Sequence, residues 1–190
     1  VEADGSRSLP FKAPGHHEPV VPRETTILVP IAGMNALGQP LDEAHVHRSE
    51  LAAAISQQAP GSPITAQTLA RVLSHPEGGA KLRPDAARLA PILNRVDIET
   101  VLPRACEAAA AMLASASVDT VILGSVRDDP PVREAWTHTA GIVLAGGKEN
   151  RNDSGELEPS CGDRTPAVRA AQIALDAGLN PVVVVLGCQA

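Results

Sequence analysis

Hydrophobic positions along this chain gather into short β-branched runs separated by stretches with helical spacing. TTILVPIAG (25–33) is an apolar run bounded by Pro and Gly and predicts a buried strand. LDEAHVHRSELAAAISQQ starts as a polar loop and turns helical, with Ser49 the expected N-cap. ITAQTLARVLSH (64–75) puts Leu69, Val72 and Leu73 on one face and predicts a helix capped by Thr65, stopped by Pro76 and the Gly78-Gly79 pair. RLAPILNRVD predicts a strand, RACEAAAAMLASAS a helix and TVILGSV a further strand. Val1 to Ala3 read as the end of a buried strand and Asp4-Gly5-Ser6 as its polar turn, with residues 7–24 a loop over that strand's end. Strands alternating with helices imply an α/β fold built on a parallel sheet.

The pattern changes after Val126. RDDPPVREAWTHT carries a Pro pair and mixed charge, the profile of a linker. GIVLAGG restarts a strand that ends in glycines, TPAVRAAQIALDAG is an amphipathic helix with a Gly stop, and NPVVVVLG reads as a fully buried strand, together one βαβ unit. The expected organisation is a first domain over 1–126, a linker over 127–139 and a second unit over 140–190 that stops short of a full domain. With Val in place of an initiator Met, residue 1 is expected to be an internal position of a longer protein.

Composition narrows the function classes. Hydrophobic residues make up 44% of the chain, yet Phe11 and Trp136 are its only aromatic side chains of the Phe, Trp and Tyr types, which excludes aromatic platforms for stacking bases. The formal net charge of -6 and the lack of a basic stripe argue against a nucleic-acid partner. Cys106, Cys161 and Cys188 are widely spaced with no CxxC, which fits a reducing compartment, so a cytoplasmic location is expected. No apolar run approaches the roughly 20 residues of a membrane helix.

Four constellations carry candidate chemistry. Asp4, at the carboxyl end of a strand, is placed as a Mg²⁺-side carboxylate or as a simple turn former; no GxxxxGK[ST] loop accompanies it, since GIVLAGGK has its glycines and lysine out of register. Asn94-x-x-Asp97 follows a strand in the arrangement by which guanine-nucleotide proteins read their base, with Arg95 where Lys is usual; Asn and Asp are also common strand-ending turn residues. His45 and His47 stand two apart like a pair of metal ligands, with His16, His17 and Glu18 nearby in sequence, against the alternative of surface histidines. Gly146, Gly147 and Arg151 follow a strand at the mouth of the βαβ unit, where backbone amides and a guanidinium suit a triphosphate, or where a tight turn needs glycine.

VEADGSRSLPFKAPGHHEPVVP, NALGQPLDEAHVHRSEL, ITAQTLARVLSHPEGGAK and PILNRVD closely resemble the YqeC family of selenium-dependent hydroxylase accessory proteins, over roughly residues 1–126. The resemblance implies a P-loop-like domain whose glycine-rich nucleotide loop lies upstream of this chain, with Asp4 on the Mg²⁺ side. Residues 140–190 resemble the start of a MobA-like nucleotidyltransferase, the class of molybdenum cofactor cytidylyltransferase, in a Rossmann-like unit. There Asn152, Asp153 and Glu156 depart from the family's Met, Gly and phosphate-contacting Lys, and a carboxylate does not stabilise developing negative charge. Together the resemblances imply a nucleotide-binding accessory protein for maturation of a selenium-dependent molybdenum hydroxylase. Its partners would be that hydroxylase or its maturation machinery, and its cofactors Mg²⁺ and a nucleoside triphosphate, GTP favoured over ATP and CTP at the C-terminal segment. Two alternatives stand beside this reading: a cytidylyltransferase-like enzyme, and a non-catalytic interaction module. NTPase or nucleotidyltransferase activity is expected of full-length modules and not of this chain.

Overall fold

The structure is a computed structural model that describes residues 5–97, 99–145 and 166–186. It divides into two compact units, Val1–Thr137 and His138–Ala190. Both are mixed α/β with parallel strand pairs.

In the first unit, β1 (Phe11–Lys12) pairs in parallel with β4 (Val46–His47). The run TTILVPIAG forms β2 (Ile27–Leu28) and β3 (Ile31–Gly33), and RLAPILN forms β5 (Arg88–Leu89) and β6 (Ile92–Asn94). Both runs are split by a proline, Pro30 and Pro91, at matching places, because proline has no N–H for the ladder. Bonds in the other direction persist: Ala90 N donates to Leu28 O and Ile92 N to Pro30 O, each at 2.9 Å. The register therefore runs through the breaks, Leu28 against Leu89 and Ile31 against Ile92. Next to β6 lies β7 (Thr120–Gly124), parallel to it, and then β8 (Val132–Thr137), antiparallel to β7. The stretch expected as a linker thus supplies an edge strand of the first unit, with Trp136 opposite Val121. Gly33 N donates to Pro10 O at 2.7 Å and links β3 to the segment leading into β1, so residues 7–24 contain strand as well as loop.

Among the described residues, three α-helices complete this unit: α1 (Ser49–Ser56), α2 (Ala66–Ser74) and α3 (Leu102–Leu113). Thr65 caps α2 as its sequence predicts, accepting from Thr68 N at 3.1 Å while Thr68 Oγ1 accepts from Thr65 N at 3.0 Å. This is a capping box with Thr in place of the usual Glu or Gln. Ser49 is not the cap of α1. Arg48 occupies that position with φ 63°, and the Glu43 carboxylate accepts from both Ser49 N and Ser49 Oγ, at 2.8 and 2.9 Å. Leu69, Val72 and Leu73 of α2 are buried together with Ala105, Ala108, Ala109 and Met112 of α3 and with Ala32, Leu89, Leu93, Val121 and Leu123 of the strands. Alanines on α3 let the helices approach closely. At the end of α2, Gly78 and Gly79 fold back on the Val72 and Leu73 carbonyls so tightly that an added Cβ would collide with both oxygens.

The strand run 25–33 is buried on one side only. Ile27, Val29 and Ile31 are exposed, Ile31 by 56%, while Ala32 is fully buried. Period-two alternation places these three on the sheet face opposite Ala32, which corrects the expectation of a wholly buried strand.

The second unit has β9 (Gly141–Ala145), α4 (Pro166–Asp176) and β10 (Val182–Leu186), with β9 and β10 parallel from Gly141↔Val182 to Ala145↔Leu186. Gly178, at φ 82°, ends α4, and Leu179 N reaches back to Ala174 O in the manner of a Schellman cap. Val183 to Leu186, expected inside, are exposed among the described residues.

Candidate functional site

The carboxyl ends of parallel strands are where open α/β sheets take ligands. In the first unit these ends carry Lys12, His47 with Arg48, and Asn94 with Arg95 and Asp97.

At β6 the strand closes on Asn94. Its Oδ1 accepts from Arg95 N at 2.9 Å and from Val126 N at 3.2 Å, tying the loop after β6 to the loop after β7. Val96 N donates to Gly124 O at 3.0 Å, a second tie between the same loops. Arg133 Nη2 donates to Asp97 O at 3.4 Å and to Asp128 Oδ2 at 3.2 Å, bracing the far end of the turn from β8. One Asp97 carboxylate oxygen, Oδ1, lies where water does not reach and has no hydrogen-bond partner among the described residues. Such an oxygen is costly to leave unmet. The sequence marked Asn94 and Asp97 as one spaced pair after a strand, and the structure has both on one braced turn. The bracing from Val126, Gly124 and Arg133 has no local signal, because those residues lie 28 to 36 positions downstream of the residues they bond and meet the turn only through strand pairing.

A second cluster surrounds β1 and β4. The Glu18 carboxylate accepts from Arg48 Nη1 at 2.5 Å and Nη2 at 2.7 Å, and from Lys12 Nζ and Gly15 N at 3.3 Å each. Bidentate guanidinium–carboxylate geometry is among the stronger protein hydrogen-bond arrangements. Arg48 foremost, with Gly15 and Lys12 adding to it against the opposing effect of burial, holds the Glu18 carboxyl well below the usual carboxylate range. Lys81 Nζ donates to Gly15 O at 2.6 Å, clamping the same loop from the other side.

His45 and His47 do not share an environment. His45 Nδ1 is 2.7 Å from Asp42 Oδ1 in a half-exposed pair, which lowers the Asp42 pKa. His47 is only 8% exposed, against the expectation of an exposed loop histidine, because β4 pairs with β1 and carries it inward. Burial first, then the charges of Arg48, Arg7 and Lys12, push its pKa below the ordinary histidine value, so His47 is held neutral. His16 and His17 are exposed and meet edge to face, ring centroids 4.6 Å apart. Among the described residues no group of three His, Cys, Asp or Glu side chains is arranged to hold a metal ion. Asp4, Gly146, Gly147 and Arg151 lie outside the described residues.

Away from the strand ends, an open cleft of about 480 Å³ lies where α1, α2 and α3 finish, lined by residues including Gln57, Arg71, His75 and Ser117. Helix C-termini present carbonyls and partial negative charge, and Arg71 Nη1 is already spent on Ser56 O at 2.7 Å, so the cleft does not suit a phosphate. Cys106 faces Glu134 Oε2 at 3.8 Å; burial and that carboxylate raise its pKa, which keeps it a thiol and a poor nucleophile. Among the described residues no helix is long and apolar enough to cross a membrane.

The family model for YqeC protein matches residues 1–50. That segment holds Lys12, Glu18, His45, His47 and Arg48. A curated relative, the uncharacterized protein YqeC of Escherichia coli (strain K12), is 30% identical over 144 residues, a match covering 73% of this chain and 54% of that protein. The chain therefore spans about half the length of the curated relative it matches. No solved structure matches the chain.

Proposed function

We propose that the chain is a YqeC-type nucleotide-binding accessory protein that serves maturation of a selenium-dependent molybdenum hydroxylase, with a P-loop-like arrangement in its first unit. One observation supports the nucleotide reading: at the carboxyl end of β6, Asp97 stands on a turn that Asn94 ties to the neighbouring loop. An acceptor in that setting fits the N1–H and exocyclic amine of guanine and opposes adenine, whose N1 is itself an acceptor. GTP is thus favoured over ATP. Asp4 would supply the carboxylate on the Mg²⁺ side of the bound triphosphate. The likeness to YqeC protein over residues 1–50 supports the YqeC-type part of this reading, and the partner in the proposed accessory role would be the hydroxylase or its maturation machinery.

The second unit supports a companion reading as the start of a MobA-like, Rossmann-like nucleotidyltransferase module. Its parallel β9 leads toward Gly146, Gly147 and Arg151, the residues proposed to meet a CTP triphosphate. Titrating GTP, ATP and CTP with Mg²⁺ by calorimetry into the full-length protein, which would carry the upstream nucleotide loop, tests both readings. Tightest binding of GTP is expected. Binding of none of the three, or equal binding of GTP and ATP, overturns the assignment of the Asn94–Asp97 turn.

A further inference from the structure

The sheet of the first unit has two edges, and only one of them is guarded. At the far edge β8 carries Arg133 and Glu134, and a register shift between Leu123 and Gly124 interrupts its pairing with β7. Charge and bulges of this kind keep an edge strand from pairing further. The opposite edge is the run from Ile27 to Gly33. Its even-numbered residues face inward, since Thr26 O, Leu28 O and Pro30 O accept from Arg88 N, Ala90 N and Ile92 N. Its odd-numbered residues turn their main-chain groups outward, where Gly33 N meets Pro10 O. Ile27, Val29 and Ile31 meet nothing there: among the described residues their N–H and C=O groups have no hydrogen-bond partner. Their side chains are exposed and carry no charge. Pro30 does not blunt this edge, because its nitrogen lies on the inner side.

We infer that residues 27–31 are the docking edge for a further β-strand, supplied in parallel by the segment that precedes residue 1 in the full-length protein. An added strand is held by main-chain bonds to alternate residues, which is what Ile27, Val29 and Ile31 offer. The strands next to this edge, β3, β6 and β7, all run parallel, and parallel sheets are ordinarily buried. The match with the YqeC relative covers 54% of that protein, which leaves length to supply the strand. A second copy of the chain would have only residues 27–31 to pair with, since Pro10 takes the bond at Gly33. So short a strip gives little of the roughly 1,200 Å² that a stable interface buries. The choice of segment rests on the P-loop-like reading above. A parallel strand would end on the same side of the sheet as Gly33 and Asn94, so the loop that follows it would arrive beside the Asn94 turn.

Amide hydrogen exchange read by NMR tests this on the 190-residue chain, on the chain extended upstream to its natural start, and on the full-length protein. In the 190-residue chain Ile27, Val29 and Ile31 should exchange fast, while Leu28 and Ala32, whose amides face β5 and β6, exchange slowly. Both longer forms should slow the three odd-numbered amides by about a hundredfold or more and leave Leu28 and Ala32 little changed. A helix lying over the exposed side chains would not produce that alternation. No slowing, or equal slowing of every amide from Ile27 to Ala32, overturns the inference. Slowing that needs downstream sequence overturns it, as does slowing in the 190-residue chain that grows with its concentration, the mark of a second copy. A full-length protein that binds no nucleotide and still shows the alternation keeps the added strand and loses the nucleotide reading.

Discussion

The Arg48 guanidinium and the Glu18 carboxylate, 30 residues apart, meet through two parallel bonds of 2.5 and 2.7 Å. Their geometry joins the loop after β1 to the start of α1. Gly15 packs so closely against the Arg48 guanidinium that an added Cβ would lie 3.0 Å from Arg48 Cζ.

Glu18→Gln is expected to lower stability by about 1 kcal/mol at neutral pH, a value kept small because both side chains are more than a quarter exposed and solvent screens them. Because the folded-state pKa of Glu18 is depressed, its contribution is full above the unfolded carboxylate value of about 4.3 and is lost as pH falls through the lower folded value. Urea unfolding of wild type and variant at pH 7, 4 and 3 should show the gap between them narrowing with acid. A constant gap across that range would remove the ion pair as its source.

His47 gives the opposite experiment, since it is buried neutral. With its folded pKa below the unfolded value of about 6.5, it costs nothing above that pH and favours the unfolded chain as pH falls below it. His47→Gln should flatten the fall in melting temperature between pH 7 and pH 5 relative to wild type. An unchanged slope, with NMR showing His47 titrating at or above the ordinary value, would contradict the burial described for β4.

Thr65→Ala removes the side-chain acceptor of the α2 capping box and should cost about 1 kcal/mol, whereas Thr65→Ser should cost a few tenths. Hydrogen exchange at Thr68 and Leu69 amides is the local readout. Uniform acceleration throughout the first unit, with no excess at the helix start, would mean that the cap is not locally limiting.

Asp97→Asn exchanges the unmet carboxylate oxygen for an amide and should weaken GTP by roughly ten- to a hundredfold while sparing ATP. Asn94→Ala should act differently, loosening the Arg95 and Val126 amides and reducing affinity for every nucleotide through the loops. Equal loss of GTP and ATP in Asp97→Asn would reduce the turn to a structural strand end.

Legibility in the sequence followed the range of the interactions. The α2 helix and its cap are specified within ten residues, and Thr65, Leu69, Val72 and Leu73 were readable for that reason. β1 was hidden in a Pro-rich stretch because a two-residue strand has no periodicity and exists only by pairing with Val46 and His47. β8 resembled a linker because an edge strand whose inner face is only half-buried, at Glu134 and Trp136, needs neither strong apolar alternation nor freedom from charge. Ser49 was misplaced by one position because Glu43, from the preceding loop, supplies the carboxylate that satisfies the helix start. At the site, Asn94 and Asp97 were visible as a spaced pair. The Glu18–Arg48 bond was not, since it joins residues that no short window contains.

Trp136, donating to Glu134 at 2.7 Å on β8, is the chain's sole indole; Tyr is absent, Phe11 is the single Phe, and residues 138–190 contain no Phe, Tyr or Trp. The protein is therefore optically one-sided. The indole whose emission is read belongs to β8 of the first unit, and no Phe, Tyr or Trp lies in β9, α4 or β10, while calorimetry takes heat from both units. A calorimetric transition with no fluorescence counterpart would then belong to the second unit, read without any label, cleavage or mutation.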